Sequence, residues 1–388
     1  MVRRVIPLRD FLANESASGI VLLVAAAFGL IVANSPLADN YFAFLELSID
    51  LTPIAIEMSV LKFINYALMT IFFFVVGLEI KRELTSGHLA KARQAAAPFF
   101  AALGGMLVPA GIYLLVAGDI APEGWAIPVA TDIALAVGVL SLMGSRVTQG
   151  LKAFLLALAV IDDIGAILII ALVYSTGIIF SWLAAAGAAI IAILILQRVG
   201  VIRIWVYVIV GALLWYSLYR AGLHPTLAGV ILGILTPARQ WLGELNFLER
   251  LEHRVHPLSS FIVVPLFAFA NSGVVLSSSA WQAALESPIA WGIVLGLVAG
   301  KPIGVFLTSV LVDRVRLAEL PIGTSSRALF ATGSTAGIGF TVAIFIAKLA
   351  FDTPELQDLA VTAVIIGSIL SALISIFLFR IGRVSSSR

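Results

Sequence analysis

The sequence has no cysteine, and only 12% of its 388 residues are Asp, Glu, Lys or Arg. Without cysteine there can be neither a disulfide framework nor a thiolate metal site. A soluble domain carries about 25% charged residues, so a chain this poor in charge cannot wrap one core in a water-facing surface. Nor does one sign dominate: a net charge of +2 offers no basic field to a nucleic-acid backbone. What is present instead is apolar, with 61% hydrophobic residues and a mean hydropathy of +1.09. An average that high must run through the chain rather than sit in one anchor, which excludes a soluble enzyme with a single tail and a disordered chain. The composition is that of an all-α polytopic membrane protein.

Hydropathy places spans at 12–34, 61–80, 94–117, 121–143, 151–175, 178–197, 204–219, 222–236, 257–275, 288–312, 328–349 and 357–380, twelve in all. The first follows Arg3, Arg4 and Arg9, but its apolar stretch from Gly19 to Ala33 is long for a signal peptide and no clear cleavage site follows. It is kept as a helix. With twelve spans both termini share one side, and that side holds 20 of the 24 Lys and Arg. The opposite loops GDIAPEG, SSSAWQAALESP and FDTPELQD have none. The positive-inside rule therefore puts both termini in the cytoplasm. Outside the spans, Leu45, Leu47, Ile49 and Leu51 alternate with Glu46, Ser48, Asp50 and Thr52, and after Pro53 the pattern resumes at Ile54, Ile56 and Met58. Period two over 45–58 predicts an external β-hairpin, either an ordered loop or a sheet edge that pairs with a second copy of the chain.

An ionisable side chain at bilayer depth costs about 2.5–3.5 kcal/mol on insertion scales, so each one needs a reason. Against clean surroundings stand Asp132, the pair Asp162 and Asp163, and Lys301, all near mid-span. Lys301 can serve as the ion-pair partner of one aspartate. Three carboxylates and one ammonium still leave surplus negative charge, which calls for a cation or a proton. Neighbouring helix residues are offset by about 100°, so one of Asp162 and Asp163 can face Lys301 while the other lines a cavity. No His or Cys stands beside them, and oxygen ligands suit a small hard cation rather than a transition metal.

Two spans make poor continuous helices. The fourth is interrupted by Pro128 and Thr131, and the eleventh by Gly333, Gly337 and Gly339. They occupy corresponding places in segments three to five and ten to twelve, the arrangement expected of inverted-topology repeats spanning 94–175 and 288–380. In that arrangement Asp132 would offset the positive half-helix N-termini and Lys301 the negative C-termini.

The motifs ATDIALAVGVL, ALAVIDDIGAILIIAL, VVGLEIKREL, HPTLAGVILG, LEHRVHP, PLFAFANSGV, GKPIG and GIGFTVAIFIA together resemble the bacterial NhaA-type Na+/H+ antiporters along nearly the whole chain. The resemblance implies one transporter domain over 1–388 in the inner membrane, with interrupted helices four and eleven crossing. It also implies a homodimer bridged by the hairpin, and electrogenic exchange of external protons for cytoplasmic Na+ or Li+ without a cofactor. It gives Asp162 and Asp163 the cation and proton site, Asp163 being the more direct ligand and Asp162 the partner of Lys301. Thr131 and Asp132 match the residues of the broken helix. Glu79, Glu252, His253 and His256 match cytoplasmic-side positions tied to pH activation, and His224 matches a histidine that alters the pH response. Without the resemblance, Glu79 reads equally well as a solvated helix end, His224 as a satisfied buried histidine, and 252–256 as an amphipathic stretch resting on headgroups. The chain departs from the family at Tyr66, where an acidic residue is common.

Two other classes fit the sequence less well. An intramembrane aspartyl protease could share a proton between Asp132 and Asp162 or Asp163, but its Gly-x-Gly-Asp pattern is absent and Lys301 would have no task. A cation channel is disfavoured by interrupted helices in corresponding positions.

Overall fold

A computed structural model describes residues 15–52, 56–175, 177–201, 203–238 and 247–381. Arg3, Arg4 and Arg9, and Pro53 and Ile54 of the expected hairpin, lie outside them. The chain is mostly helical. It runs through α1 (Glu15–Ala33), α2 (Ala38–Glu46), the strands β1 (Ser48–Leu51) and β2 (Ile56–Ser59), α3 (Val60–Thr85), α4 (Ala92–Ala117), a 3-10 run Pro122–Val129, and α5 (Ile133–Met143). Next come α6 (Gln149–Leu172), α7 (Phe180–Arg198), α8 (Ile204–Ala221), α9 (Leu227–Leu235), α10 (Phe247–Leu258) and α11 (Val264–Asn271). The last are α12 (Ser278–Glu286), α13 (Pro288–Arg314), α14 (Ser326–Ala336), α15 (Phe340–Ala350) and α16 (Pro354–Ile381).

Among the described residues, eight helices are long and apolar enough to cross a membrane, and ten if two bent pairs each count as one span. The bent pairs are α1 with α2, at 111°, and α14 with α15, at 47°. Two of the hydropathy segments fall outside this number. In 222–236 the helix starts only at Leu227 and has nine residues, about 13.5 Å at 1.5 Å per residue against a hydrocarbon core of about 30 Å. In 257–275 the run is divided by a π turn, Ser259–Val263, and continues backward into the charged α10. Hydropathy averages over such breaks because it scores side chains and not backbone.

The period-two segment forms a two-stranded antiparallel sheet, with Ser48 opposite Ser59 and Leu51 opposite Ile56. Ile56 and Met58 are buried while Glu57 is exposed, as alternation requires. The first strand starts at Ser48, three residues after the expected Leu45. Leu45 and Glu46 complete α2, whose 3.6-residue period buries Tyr41 and Leu45 together.

The chain divides into two compact units, one within 1–42, 88–166 and 268–388 and the other within 43–87 and 167–267. The first unit has a core drawn from α4, α5, α6, α13 and α14, including Leu140, Leu158 and Val305. Its outward positions are as apolar as its core: Leu115 is 88% exposed. Such a surface suits lipid rather than water, and helix association there depends on close packing and hydrogen bonds more than on burial.

Candidate functional site

In the first unit the hydropathy segments 121–143 and 328–349 both lose helical form. After Val129 the backbone turns extended, with Ala130 at φ −75°, ψ 151° and Asp132 at φ −90°, ψ 103°. The other break is Gly337 to Gly339, between α14 and α15. The two breaks meet. Asp132 N–H donates to Ile338 O at 2.6 Å, and Thr131 Oγ1 lies 2.8 Å from Ala336 O.

Breaking two helices in an apolar medium exposes two positive N-termini and two negative C-termini, and each needs a partner. Asp132 serves both N-termini. Its Oδ1 accepts from Leu135 N at 3.0 Å, capping α5. Its Oδ2 accepts from Thr341 N at 3.1 Å and Thr341 Oγ1 at 2.5 Å, at the start of α15. The C-termini take Lys301, whose Nζ donates to Val129 O, and Thr131, beside Ala336 O. Asp132 thus caps two half-helix N-termini, and the Lys301 ammonium meets one half-helix C-terminus.

Lys301 also reaches Asp162. Its Nζ lies 2.5 Å from Asp162 Oδ2, with both side chains fully buried. Thr131 Oγ1 lies 2.6 Å from the same oxygen. A hydroxyl carries one proton, so Thr131 can donate to Asp162 or to Ala336 O but not to both at once. Asp162 Oδ1 has no hydrogen-bond partner although it is buried, an unmet acceptor that a proton or a cation would satisfy. Asp163 follows on α6 and is 6% exposed. Of the two aspartates whose orientation the sequence left open, Asp162 is therefore the one that faces Lys301.

The other expected residues lie in the second unit. Glu252 is buried on α10, and its Oε1 accepts from Arg82 Nη1 on α3, while Oε2 has no hydrogen-bond partner. Burial pushes the Glu252 carboxyl above its ordinary value, and the Arg82 guanidinium opposes this without cancelling it. Glu79 is half-buried on α3, His253 is exposed, and His256 Nε2 lies 3.4 Å from Ser260 Oγ. His224 is buried, with Nδ1 2.6 Å from Thr226 Oγ1 and its ring edge-to-face with Tyr66 at 5.0 Å. Tyr66 sits in a π turn, Ile64–Leu68, and its carbonyl accepts from Trp215 Nε1 at 3.2 Å.

Sequence reasoning missed two participants. Thr341 binds Asp132 through both its N–H and its hydroxyl, yet a threonine in an apolar span carries no signal, since it usually bonds back to its own helix. Arg82 was absorbed into the charged run IKRE, where one residue of four looks no different from the rest.

Residues 9–379 match the family described as Na+/H+ antiporter 1. The chain is 48% identical over 376 residues to the Na(+)/H(+) antiporter NhaA of Shewanella sp. (strain MR-4), covering 95% of this chain and 96% of that protein. The NhaA proteins of Shewanella oneidensis and Shewanella baltica match over the same shares, at 48% and 46% identity. With the family matched across nearly its whole length, this multi-pass membrane protein belongs to the NhaA Na+/H+ antiporters, which are transporters and not enzymes.

Proposed function

We propose that the chain is an electrogenic, pH-activated antiporter of the bacterial inner membrane, exchanging external protons for cytoplasmic Na+ or Li+ at Asp162 and Asp163. The observation that carries the reading is the buried carboxylate oxygen Asp162 Oδ1, with no hydrogen-bond partner, inside a cluster of three carboxylates and one ammonium. A proton or an alkali cation neutralises this surplus, and because both use the same oxygens, occupancy by one excludes the other. Competition of this kind, plus alternating access of the site to the two sides, suffices for antiport. Lys301, Thr131 and Asp132 support the site by holding the broken helix ends in place. Na+ and Li+ are cargo here, so no resident cofactor is called for.

The finer architecture belongs to the same proposal: twelve spans with both termini cytoplasmic, inverted repeats at 94–175 and 288–380, and a homodimer through the hairpin at 45–58. Its support is the Lys and Arg asymmetry, the breaks in corresponding spans, and the β1–β2 edge. Glu79, Glu252, His253, His256 and His224 form the pH-responsive set, supported by the contact of the buried Glu252 with the part-exposed Arg82 on two cytoplasmic-side helices. Tyr66, whose ring packs edge-to-face on His224, stands where an acidic residue is common in the family.

Proteoliposomes under an imposed pH gradient test this directly. Na+ or Li+ should collapse the gradient at alkaline pH, and Asp163→Asn should abolish that collapse while melting cooperatively. Wild-type exchange in the folded Asn variant would overturn the site.

A further inference from the structure

The helix that carries Lys301 is not α-helical throughout. Gly296–Gly300 forms one π turn, and the Lys301 N–H donates to Gly296 O, five residues back. An α-helix would send that N–H to Leu297 O. Leu297 O instead lies 3.4 Å from the Ser371 hydroxyl of α16. The next residue keeps the α register from recovering, since Pro302 has no N–H to offer Val298 O. A π turn inserts one residue, worth about 100° of rotation and about 1.5 Å of rise. The register of this turn therefore decides which way Lys301 points.

The neighbours of the turn are the two helix breaks. A Cβ on Gly296 would lie 2.6 Å from Pro128 Cβ, and one on Gly300 would lie 2.8 Å from Pro109 Cα. Pro128 directly precedes Val129, whose carbonyl receives the Lys301 ammonium. On the other side, a Cβ on Gly337 would collide with Leu297 O. The turn is thus packed against the last residues before the first break and the first residue of the second. π turns are rare, occur mostly as single-turn bulges inside α-helices, and are frequent at functional sites.

We infer that the π turn Gly296–Gly300 is the register device that seats Lys301 on Asp162, with Gly296, Gly300 and Pro302 as positioning residues for ion exchange. The inference rests on the proposed site at Asp162, Asp163 and Lys301. Displacement of either break is transmitted to the turn through Pro128 or Leu297 O, and from the turn to the ammonium.

Pro302→Ala is the test, because alanine restores the N–H that the α register needs. The variant should melt cooperatively. In proteoliposomes its half-activation pH should move, or its apparent Na+ affinity fall by about threefold or more, a coupling of ordinary size for residues in contact. Added to Lys301→Ala, the same substitution should change nothing further. If Lys301→Ala abolishes flux, thermal unfolding supplies the cycle: the melting temperature lost on Pro302→Ala should vanish when Lys301 is absent. Ser371→Ala, which removes the donor at Leu297 O, is the second variant should Pro302→Ala fail to fold, with the same expectation. A wild-type pH profile and affinity, or equal effects with and without Lys301, would overturn the inference. Wild-type flux in Asp163→Asn would defeat the site itself, yet the thermal cycle would still decide the register.

Discussion

The two units take charge out of water by different means. In the first, Asp162 and Lys301 are fully excluded from solvent, and the groups around them are the buried ends of two broken helices. In the second, Glu252 keeps 10% of its side chain exposed and its partner Arg82 keeps 39%. These two stand on unbroken stretches of α3 and α10. An ion loses several kcal/mol of hydration when it is buried, and only oriented dipoles close by can replace it. Broken helices supply such dipoles inside an apolar core. Where solvent still reaches one partner, no break is needed. The difference explains why the first cluster must be built into the fold, while the second needs only two side chains within reach.

The sharpest way to break this comparison is Lys301→Ala. Removing one partner of a buried pair leaves an uncompensated charge, with an expected loss of about 3–5 kcal/mol, read as a lower melting temperature. The pH dependence of flux should shift with it. Lys301→Met combined with Asp162→Leu should recover most of the lost stability although it cannot transport, since the penalty lies in the unpaired charge rather than in the missing bond. Unchanged stability in Lys301→Ala would mean that the ion pair is not what holds the broken ends together.

The same energetic argument marks what could be read from the sequence. Asp132, Asp162, Asp163 and Lys301 stood out because each is expensive in an apolar span, and Pro128 and Gly337 marked the breaks because both residues weaken a helix. The meeting of the breaks could only be expected from their corresponding places. Which aspartate faces Lys301 was not legible, since adjacent helix positions differ only by rotation and rotation depends on packing. Thr341 was invisible because its role comes from the position of its N–H at the start of α15, a backbone property. The π turns at Ile64–Leu68, Ser259–Val263 and Gly296–Gly300 were invisible for the same reason. Leu45 and Glu46 were assigned to the strand because two or three alternating residues fit a helix end as well as a strand start. The helix in 222–236 was overestimated because the strongly apolar Leu227–Leu235 carries the hydropathy of the whole segment, while Leu223, His224, Pro225 and Thr226 add length without adding helix.

Glu252→Gln sharpens the comparison at the half-buried level. Burial holds the Glu252 carboxyl above its ordinary value of 4.5 in the folded state. A group raised on folding contributes its full stability below the unfolded value and loses it as pH climbs through the folded one. The wild type should therefore lose melting temperature as pH rises from about the unfolded carboxylate value of 4.5, and Glu252→Gln should not lose this part. The two curves, recorded side by side, should run parallel at low pH and separate above that point, with Gln the higher. Parallel curves throughout would mean that Arg82 already compensates the buried carboxylate, and the second unit would then hold its charge as completely as the first.

The smallest effect belongs to the ion pair at the opposite limit. Arg93 at the start of α4 and Glu319 before α14 approach to 2.9 Å, but their side chains are 86% and 82% exposed. Water screens such a pair, and holding two long side chains in one geometry costs about as much as the attraction returns. Arg93→Ala should leave the melting temperature and the pH profile where they are, at low salt and at high salt. The geometry of this pair is close to that of Asp162 and Lys301, so equal outcomes for the two alanine variants would show that distance alone sets the worth of an ion pair in this protein. Unequal outcomes in the expected order would place the difference in burial, and hence in the helix ends that make burial possible.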